Sequence, residues 1–214
     1  MIRELLVVVA KRPELGRVKT RLARGIGDAG ALALYAAFLD DIVARCAALP
    51  HAFAVAFVPG GPDYPLPGVE TFDQVGATLG ERLLAIFERS ERVAEKTLVM
   101  SSDSPQVPDA WIERAFEMLE DADAVFGPTE DGGYWCVGMR LPHDVFGGVT
   151  MSVPETFEQT RAAARRLGLR VALLPPTFDV DEVADLAKLR AALAAGSELP
   201  RTRRVLAELD GAAT

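Results

Sequence analysis

The chain has 214 residues, of which half are hydrophobic and a quarter are charged, so we expect one folded domain of ordinary size. Its net charge of −8 excludes a general nucleic-acid binder, which would carry the opposite balance. The two cysteines, Cys46 and Cys136, lie in apolar stretches and cannot build a disulfide framework or a zinc cluster with only two histidines. No apolar run reaches membrane-spanning length, so we expect no membrane partner and a reducing, cytoplasmic location.

The first half of the chain alternates strand and helix patterns. Residues 5–10 form a continuous apolar run rich in β-branched side chains, which is typical of a strand buried on both faces. A long helix is predicted to begin at Asp28, which can cap it, and to end near residue 49. Further elements in this half are strands at 52–58 and 69–72 and a helix at 78–94.

The second half continues the alternation. Predicted strands lie at 97–101, 124–126, 134–139 and 170–174, and predicted helices at 108–119, 152–167, 182–195 and 199–209. Strands joined by helices predict an α/β three-layer sandwich with a mostly parallel, twisted sheet. We expect residues 1–196 to form a single domain and residues 197–214 to form a C-terminal helical tail.

Sequence signals mark the starts of three of these helices. Thr78 to Glu81 and Ser152 to Glu155 each have the spacing of a capping box, and Pro154 suits a first helical turn. Asp181 is the expected cap of the helix that begins at residue 182.

A basic segment follows the first strand. It contains six basic residues and a single acid, Glu14, in a chain that is acidic overall. The basic residues are Lys11, Arg12, Arg17, Lys19, Arg21 and Arg24. Such a cluster predicts either a solvated face or a site for a compact anion, for which Gly16 supplies a permissive backbone. It is not a Walker A loop, because Val18 precedes Lys19, and no dinucleotide fingerprint follows the strand.

Three acidic clusters follow later strands. Asp103 stands at a strand end, where it predicts either a ligand for Mg²⁺ or Mn²⁺ or a cap of the local turn. Asp179 and Asp181 precede the 182–195 helix, and either could complete a metal site with Asp103 or complement the helix dipole. In α/β sheets such strand ends converge on one edge, where ligands bind.

The third cluster lies between the strands at 124–126 and 134–139. Its Asp-Gly-Gly sequence predicts a hairpin turn. A turn alone explains less well why acids and aromatic side chains crowd there, and an acceptor pocket with a general base would account for them. The candidate acceptor-binding residues are Glu130, Gly132, Gly133 and Tyr134, with Asp131 as the candidate base.

Four motifs, taken together, resemble a known family. They are Lys11-x-Pro13-x-x-Gly16-x-x-Lys19-Thr20-Arg21-Leu22, Ser102-Asp103-Ser104-Pro105, Gly127-Pro128-x-x-Asp131-Gly132-Gly133-Tyr134-x-x-x-Gly138 and Asp179-x-Asp181-x-x-x-Asp185-Leu186. The chain resembles a family of bacterial GT-A-like transferases that are described as uncharacterised glycosyltransferases. It is also similar to 2-phospho-L-lactate guanylyltransferases and, more distantly, to molybdenum-cofactor nucleotidyltransferases.

The resemblance implies a nucleotide-diphospho-sugar transferase (GT-A) fold. It implies nucleotide phosphates on the basic loop at Lys11, Lys19 and Arg21, with Arg12 and Gly16 in the same loop. It also implies a divalent metal at Asp103 and Asp181. Gln74 and Gly80 fall where the family places the segment that recognises the base.

These inferences predict a metal-dependent transferase with a nucleotide or nucleotide-sugar donor and a small-molecule acceptor. Either a nucleotidyl group passes from a nucleoside triphosphate to a phosphorylated acceptor, or a sugar passes to a hydroxyl group. The alternative is a nucleotide-binding protein without turnover. Lys19 and Asp131 are the candidate catalytic residues, and we expect a monomer or a homodimer.

Overall fold

The computed structural model describes residues 1–212. The strands are β1 (Ile2–Ala10), β2 (Ala52–Phe57), β3 (Glu70–Asp73), β4 (Ala94–Ser101), β5 (Ala124–Pro128), β6 (Tyr134–Met139) and β7 (Val171–Leu173). The helices are α1 (Thr20–Cys46), α2 (Leu79–Ser90), α3 (Asp109–Met118), α4 (Thr156–Arg166), α5 (Asp185–Ala194) and α6 (Pro200–Ala212). No helix in this part of the chain is both long enough and apolar enough to cross a membrane.

The strands form one sheet in the order β3-β2-β1-β4-β6-β5-β7. The strand β6 is antiparallel to both of its neighbours, and every other pairing is parallel. The central strand β1 pairs with β2 and β4, and Leu5 to Val8 are buried, as the apolar run predicts. The predicted α/β fold with a mostly parallel sheet is confirmed.

Helices cover both faces of the sheet. Because side chains alternate along a strand, Leu6 and Val8 of β1 pack with α1 and α3, whereas Leu5 and Val7 pack with α2 and α4. Two apolar layers therefore enclose the sheet and leave its carboxyl edge, where β1, β4 and β5 end, for polar side chains.

The C-terminal helices pack against the outer side of α1. Their apolar residues form a third buried cluster with Leu34 and Phe38 of α1. The carboxylate of Asp41 is buried and accepts hydrogen bonds from the backbone N–H groups of Arg201 and Thr202, at 3.1 and 2.8 Å. This contact satisfies N–H groups that the first turn of α6 cannot pair internally. The last two residues of the expected tail, 213 and 214, lie outside the described part of the chain.

The helix α1 differs from its prediction. It begins at Thr20, eight residues before Asp28, and is interrupted at Gly27, which has φ 75° and ψ 158°. A glycine adopts this conformation without strain, so the chain bends there and resumes as the helix predicted from Asp28. The short first segment brings Thr20 and Arg21 next to the end of β1.

One of the two capping boxes is confirmed. Thr78 and Glu81 exchange both hydrogen bonds at the start of α2. The box at Ser152 to Glu155 is wrong, because α4 begins at Thr156 and Ser152 has a left-handed backbone with φ 61°. The segment before α4 is held instead by the Thr156 hydroxyl, which donates to the carbonyl oxygens of Thr150 and Val153, at 3.0 and 2.7 Å.

The start of α5 also differs from its prediction. Asp181 does not cap it, because the helix begins at Asp185. The Asp185 carboxylate accepts hydrogen bonds from the backbone N–H groups of Asp181 and Glu182, at 3.1 and 2.9 Å. The side chain of Asp181 is therefore released from the helix and lines the site described next.

Candidate active site

A cavity of about 710 Å³ opens at the carboxyl edge of the sheet. One wall comes from the loop between β1 and α1, the end of β4, and the start of α2. A second wall comes from the turn between β5 and β6 and from residues 151–156 before α4, and it meets the start of α2, where Met151 lies beside Gly80. Five segments of the chain thus converge where ligands bind in sheets of this type.

A buried lysine joins two of the predicted metal ligands. Lys19 Nζ lies 2.9 Å from Asp181 Oδ1 and contacts Asp103 Oδ1, and only 3% of the Lys19 side chain is exposed. Burial opposes its positive charge, but the two carboxylates outweigh burial and raise its pKa above the usual value. The backbone of Lys19 is left-handed, at φ 47° and ψ 43°, and this turn directs the chain from the loop into α1.

Asp179 and Asp181, in the loop between β7 and α5, have different environments. Burial opposes ionisation of Asp181, but Lys19 and Arg21 lower its pKa, and Arg21 lies 2.6 Å from its Oδ2. Burial raises the pKa of Asp179 to about 7, with a further contribution from the charge of Asp103. Asp179 accepts a hydrogen bond from the Ser104 hydroxyl. Asp181 is thus the ionised member of the pair, close to the basic loop.

Tyr35 holds the floor of the cavity together. Its hydroxyl accepts a hydrogen bond from the Lys11 N–H at 2.9 Å and donates to the Lys11 carbonyl at 3.1 Å. It also lies 3.1 Å from the Ser102 hydroxyl. One buried side chain therefore fixes the loop after β1 relative to the loop after β4.

The chain matches a known protein family. The model of a family of uncharacterised proteins conserved in bacteria, DUF2064, matches residues 36–153, more than half of the chain. The chain belongs to this family. It is also 36% identical over 119 residues to the 2-phospho-L-lactate guanylyltransferase of Methanopyrus kandleri. That match covers 52% of the chain and 57% of the relative, so it spans little more than half of the guanylyltransferase.

Solved structures place this DUF2064 protein in a fold superfamily. A candidate nucleotide-diphospho-sugar transferase from Desulfovibrio desulfuricans G20 matches with a TM-score of 0.91 and 32% identity, covering 99% of this chain and 96% of the other. The 2-C-methyl-D-erythritol 4-phosphate cytidylyltransferase of Thermus thermophilus matches with a TM-score of 0.52 and 17% identity, covering 89% and 97%, and shows a shared fold. The predicted GT-A-type fold and the resemblance to nucleotidyl and nucleotide-sugar transferases are confirmed.

Most of the predicted site residues of this DUF2064 chain line the cavity. They are Lys11, Lys19, Arg21, Gln74, Asp103, Asp131, Gly133, Tyr134 and Asp181. The side chain of Gln74 donates to the carbonyl of Ala56 at 2.8 Å, which leaves its own carbonyl oxygen as the acceptor near the cavity. Candidate residues from five separate segments of the sequence therefore line one cavity.

Arg12 and Gly16 are not among the lining residues. The Arg12 guanidinium lies 2.8 Å from Asp73, donates to the carbonyls of Val58 and Gly60, and stacks over the Phe57 ring. Its charge is engaged in holding the first loop to the end of β2. The prediction that Arg12 and Gly16 bind nucleotide has no support from this geometry.

Glu130, Gly132 and Gly80 also lie outside the cavity lining. Glu130 points to Lys188, 2.6 Å away on α5. Gly80 is buried in the first turn of α2. Gly132 has φ 86° and lies so close to the next loop that an added Cβ would come within 1.8 Å of the Pro154 carbonyl oxygen. Because Gly132 has no side chain, the β5–β6 turn can pack on that loop.

Two lining features were not predicted. Tyr35 fits the apolar spacing of α1 and is predicted to be a core residue. The sequence does not show that its hydroxyl reaches the loops. Residues 152–155 are predicted to form a capping box, but the structure places residues 151–154 in the cavity wall. The Asp-Gly-Gly hairpin itself is confirmed, since β5 and β6 are antiparallel neighbours.

Proposed function

We propose that this protein is a metal-dependent transferase that binds a nucleotide donor along its basic loop. The observation that carries the proposal is that one cationic atom, Lys19 Nζ, contacts both Asp103 and Asp181 inside the cavity. Two carboxylates that lie this close together can bind a divalent ion, and the basic side chains beside them can bind phosphate groups. A nucleotide donor brings both the phosphate groups and the ion.

The carboxylate oxygens of Asp103 and Asp181 are ligands that Mg²⁺ or Mn²⁺ accepts. No group of three His, Cys, Asp or Glu side chains within residues 1–212 has the arrangement of a ready-made metal site. Two carboxylates are sufficient where phosphate oxygens complete the coordination, as is usual for Mg²⁺ with nucleotides. A bound divalent ion would neutralise negative charge on the phosphate groups. Lys19 would then leave the carboxylates for the phosphates.

The donor's phosphates belong on the basic side of the cavity. Lys11 and Arg21 line that side and supply cations for phosphate oxygens, with Lys19 as the third. We place the base near Gln74, whose side-chain oxygen is an acceptor for ring or amino N–H groups. Asp131 lies on the second wall, where a carboxylate can take a proton from an acceptor.

Two reactions fit this arrangement. In nucleotidyl transfer, an acceptor oxygen attacks the α-phosphorus, the new P–O bond forms, and pyrophosphate leaves with the bonding electrons. In glycosyl transfer, the oxygen attacks the anomeric carbon, and the nucleoside diphosphate leaves. The proton of an attacking hydroxyl passes to Asp131 in either case. The names of the guanylyltransferase and nucleotide-sugar transferase relatives support one reaction each.

A panel of nucleoside triphosphates and nucleotide-sugars, with acceptors and Mg²⁺ or Mn²⁺, separates these reactions. Acceptor-dependent release of pyrophosphate identifies nucleotidyl transfer, and release of a nucleoside diphosphate identifies glycosyl transfer. Saturable binding without either product identifies a nucleotide-binding protein. Asp103→Ala should abolish metal-dependent nucleotide binding, whereas Asp121→Ala, which removes an exposed acid outside the cavity, should leave it unchanged. Equal metal dependence in the two variants would refute the proposed metal site.

A further inference from the structure

Basic side chains line only one part of the cavity. All four basic side chains that line it come from residues 11–82, namely Lys11, Lys19, Arg21 and Arg82. The second wall, from 131–137 and 151–156, is called the acceptor wall below. It contributes no Lys, Arg or His among the described residues, and its charged group is Asp131. Two basic side chains on α4 and α5 are already paired with acids. Lys188 lies 2.6 Å from Glu130, and Arg161 lies 2.7 Å from Glu158.

Backbone groups do not replace the missing cations on this wall. The first N–H groups of α4 could in principle hold an anion. However, the Thr156 N–H donates to the Val153 carbonyl at 3.0 Å, and the Phe157 N–H donates to the Gly132 carbonyl at 2.8 Å. In the adjoining turn, the Gly133 N–H donates to Asp131 Oδ1 at 3.1 Å. These three backbone donors are therefore occupied and are not available to an anion.

The same wall offers an acceptor for a hydroxyl group and apolar surface around it. Asp131 Oδ1 accepts hydrogen bonds from the Thr129 hydroxyl and the Gly133 N–H, which leaves Oδ2 without a partner among the described residues. The Tyr134 hydroxyl lies 4.0 Å from Met151 Sδ, and both side chains line the cavity. A carboxylate beside an aromatic ring and a thioether suits an alcohol and repels a phosphate.

We propose that the acceptor is an alcohol without a phosphate group, neutral or cationic, whose hydroxyl binds Asp131. This inference rests on the proposed function and narrows its substrate class. The hydroxyl oxygen attacks the donor, its proton passes to the Asp131 carboxylate, and the donor's pyrophosphate or nucleoside diphosphate leaves with the bonding electrons. It separates this protein from the guanylyltransferase relative, whose name specifies a phosphorylated substrate.

The test uses glycerol 3-phosphate as a probe of anion binding at each wall, measured by isothermal titration. Nucleotide is first titrated alone with Mg²⁺, and failure to bind would refute the proposed function itself. Glycerol 3-phosphate is then titrated into protein saturated with that nucleotide. Because the nucleotide fills the basic wall, we expect no further binding to the wild-type protein.

A cation introduced on the acceptor wall should reverse that result. Ser152 is exposed and lines the cavity, so Ser152→Arg places a guanidinium there, and Ser152→Gln is the matched neutral control. Ser152→Arg should bind glycerol 3-phosphate at least about tenfold more tightly than the glutamine variant. Val153→Arg serves if circular dichroism shows that the first variant is not folded.

Two outcomes would overturn the inference. One is that wild-type protein saturated with nucleotide binds glycerol 3-phosphate. The other is that the arginine variants bind glycerol 3-phosphate no better than Ser152→Gln does. The first result would reveal an anion site on the acceptor wall. The second would show that the lack of a cation is not what excludes phosphate.

Discussion

Replacing Lys19 with methionine should destabilise the protein until a divalent ion is added. Breaking a buried ion pair by removing one partner costs about 3–5 kcal/mol. The Lys19 side chain is 3% exposed, but its partners Asp103 and Asp181 are 39% and 27% exposed, so water stabilises part of their charge. We therefore expect Lys19→Met to lower the free energy of unfolding by about 2 kcal/mol, below that range. Methionine keeps most of the side-chain length, so lost packing contributes little.

Magnesium should restore most of this loss, because it can take the position between the carboxylates. A ligand present at a hundred times its dissociation constant stabilises a protein by about 2.7 kcal/mol. Urea unfolding with and without MgCl₂, at ionic strength matched with NaCl, measures the effect. Wild-type protein should respond less, because Lys19 already neutralises Asp103 and Asp181.

The control is Lys188→Met, which removes a half-exposed lysine paired with Glu130 outside the cavity. An exposed pair of this kind is worth less than about 1 kcal/mol, and its loss should not create a response to Mg²⁺. The reasoning is refuted if Lys19→Met unfolds at the wild-type urea concentration. It is also refuted if Mg²⁺ stabilises the wild-type and variant proteins equally.

Three further predictions concern other parts of the structure. Asp41→Ala should lower the free energy of unfolding by about 2 kcal/mol in urea, because it leaves buried N–H groups of α6 unpaired. Hydrogen bonds from Arg170 lower the pKa of Asp123 to about 2, so this pair stabilises the protein above the unfolded-state pKa of about 3.9. The difference in Tm between wild type and Asp123→Asn should therefore shrink as the pH falls from about 4 toward 2. Tyr35→Phe should weaken nucleotide binding about tenfold in isothermal titration, because it releases both backbone groups of Lys11.

A specific result would contradict each of these predictions. Asp41→Asn keeps one acceptor oxygen and should be the milder change, so equal losses for asparagine and alanine would contradict the capping role. A difference in Tm for Asp123→Asn that does not change with pH would show that ionisation is not involved. For Tyr35, the control is Tyr64→Phe, which removes a hydroxyl bonded to Asp40 outside the cavity. Equal nucleotide affinity in both phenylalanine variants would refute the positioning role.

Much of the fold could be predicted because its signals are local. The apolar run of β1, the Thr78–Glu81 capping box and the Asp-Gly-Gly turn each depend on neighbouring residues, and all three are confirmed. The helix starts that were wrong depend on distant or competing contacts. Asp185 rather than Asp181 accepts the N–H groups before α5, and both acids have suitable sequence positions. Sequence cannot decide between two such competitors.

The site could be predicted in composition but not in pairing. Lys19, Asp103 and Asp181 were each recognised as candidates, yet nothing in the sequence shows that the lysine would lie between the two carboxylates. The same limit explains Arg12, whose guanidinium is paired with Asp73 at the end of β3, two strands away in the sheet. Contacts between residues far apart in sequence follow from strand order, which local patterns do not determine.

The reversed strand β6 has a consequence for how proteins with this architecture can diverge. Because β6 runs against its neighbours, the chain arrives at the ligand edge along β5 and leaves it along β6, with only a short turn between them. Changes in the length or composition of that turn alter the second wall of the cavity and leave the loop after β1 intact. The contact of Gly132 with Pro154 sets the limit, because it obliges the turn and the loop before α4 to change together. One half of the cavity can thus acquire new chemistry while the other retains the old.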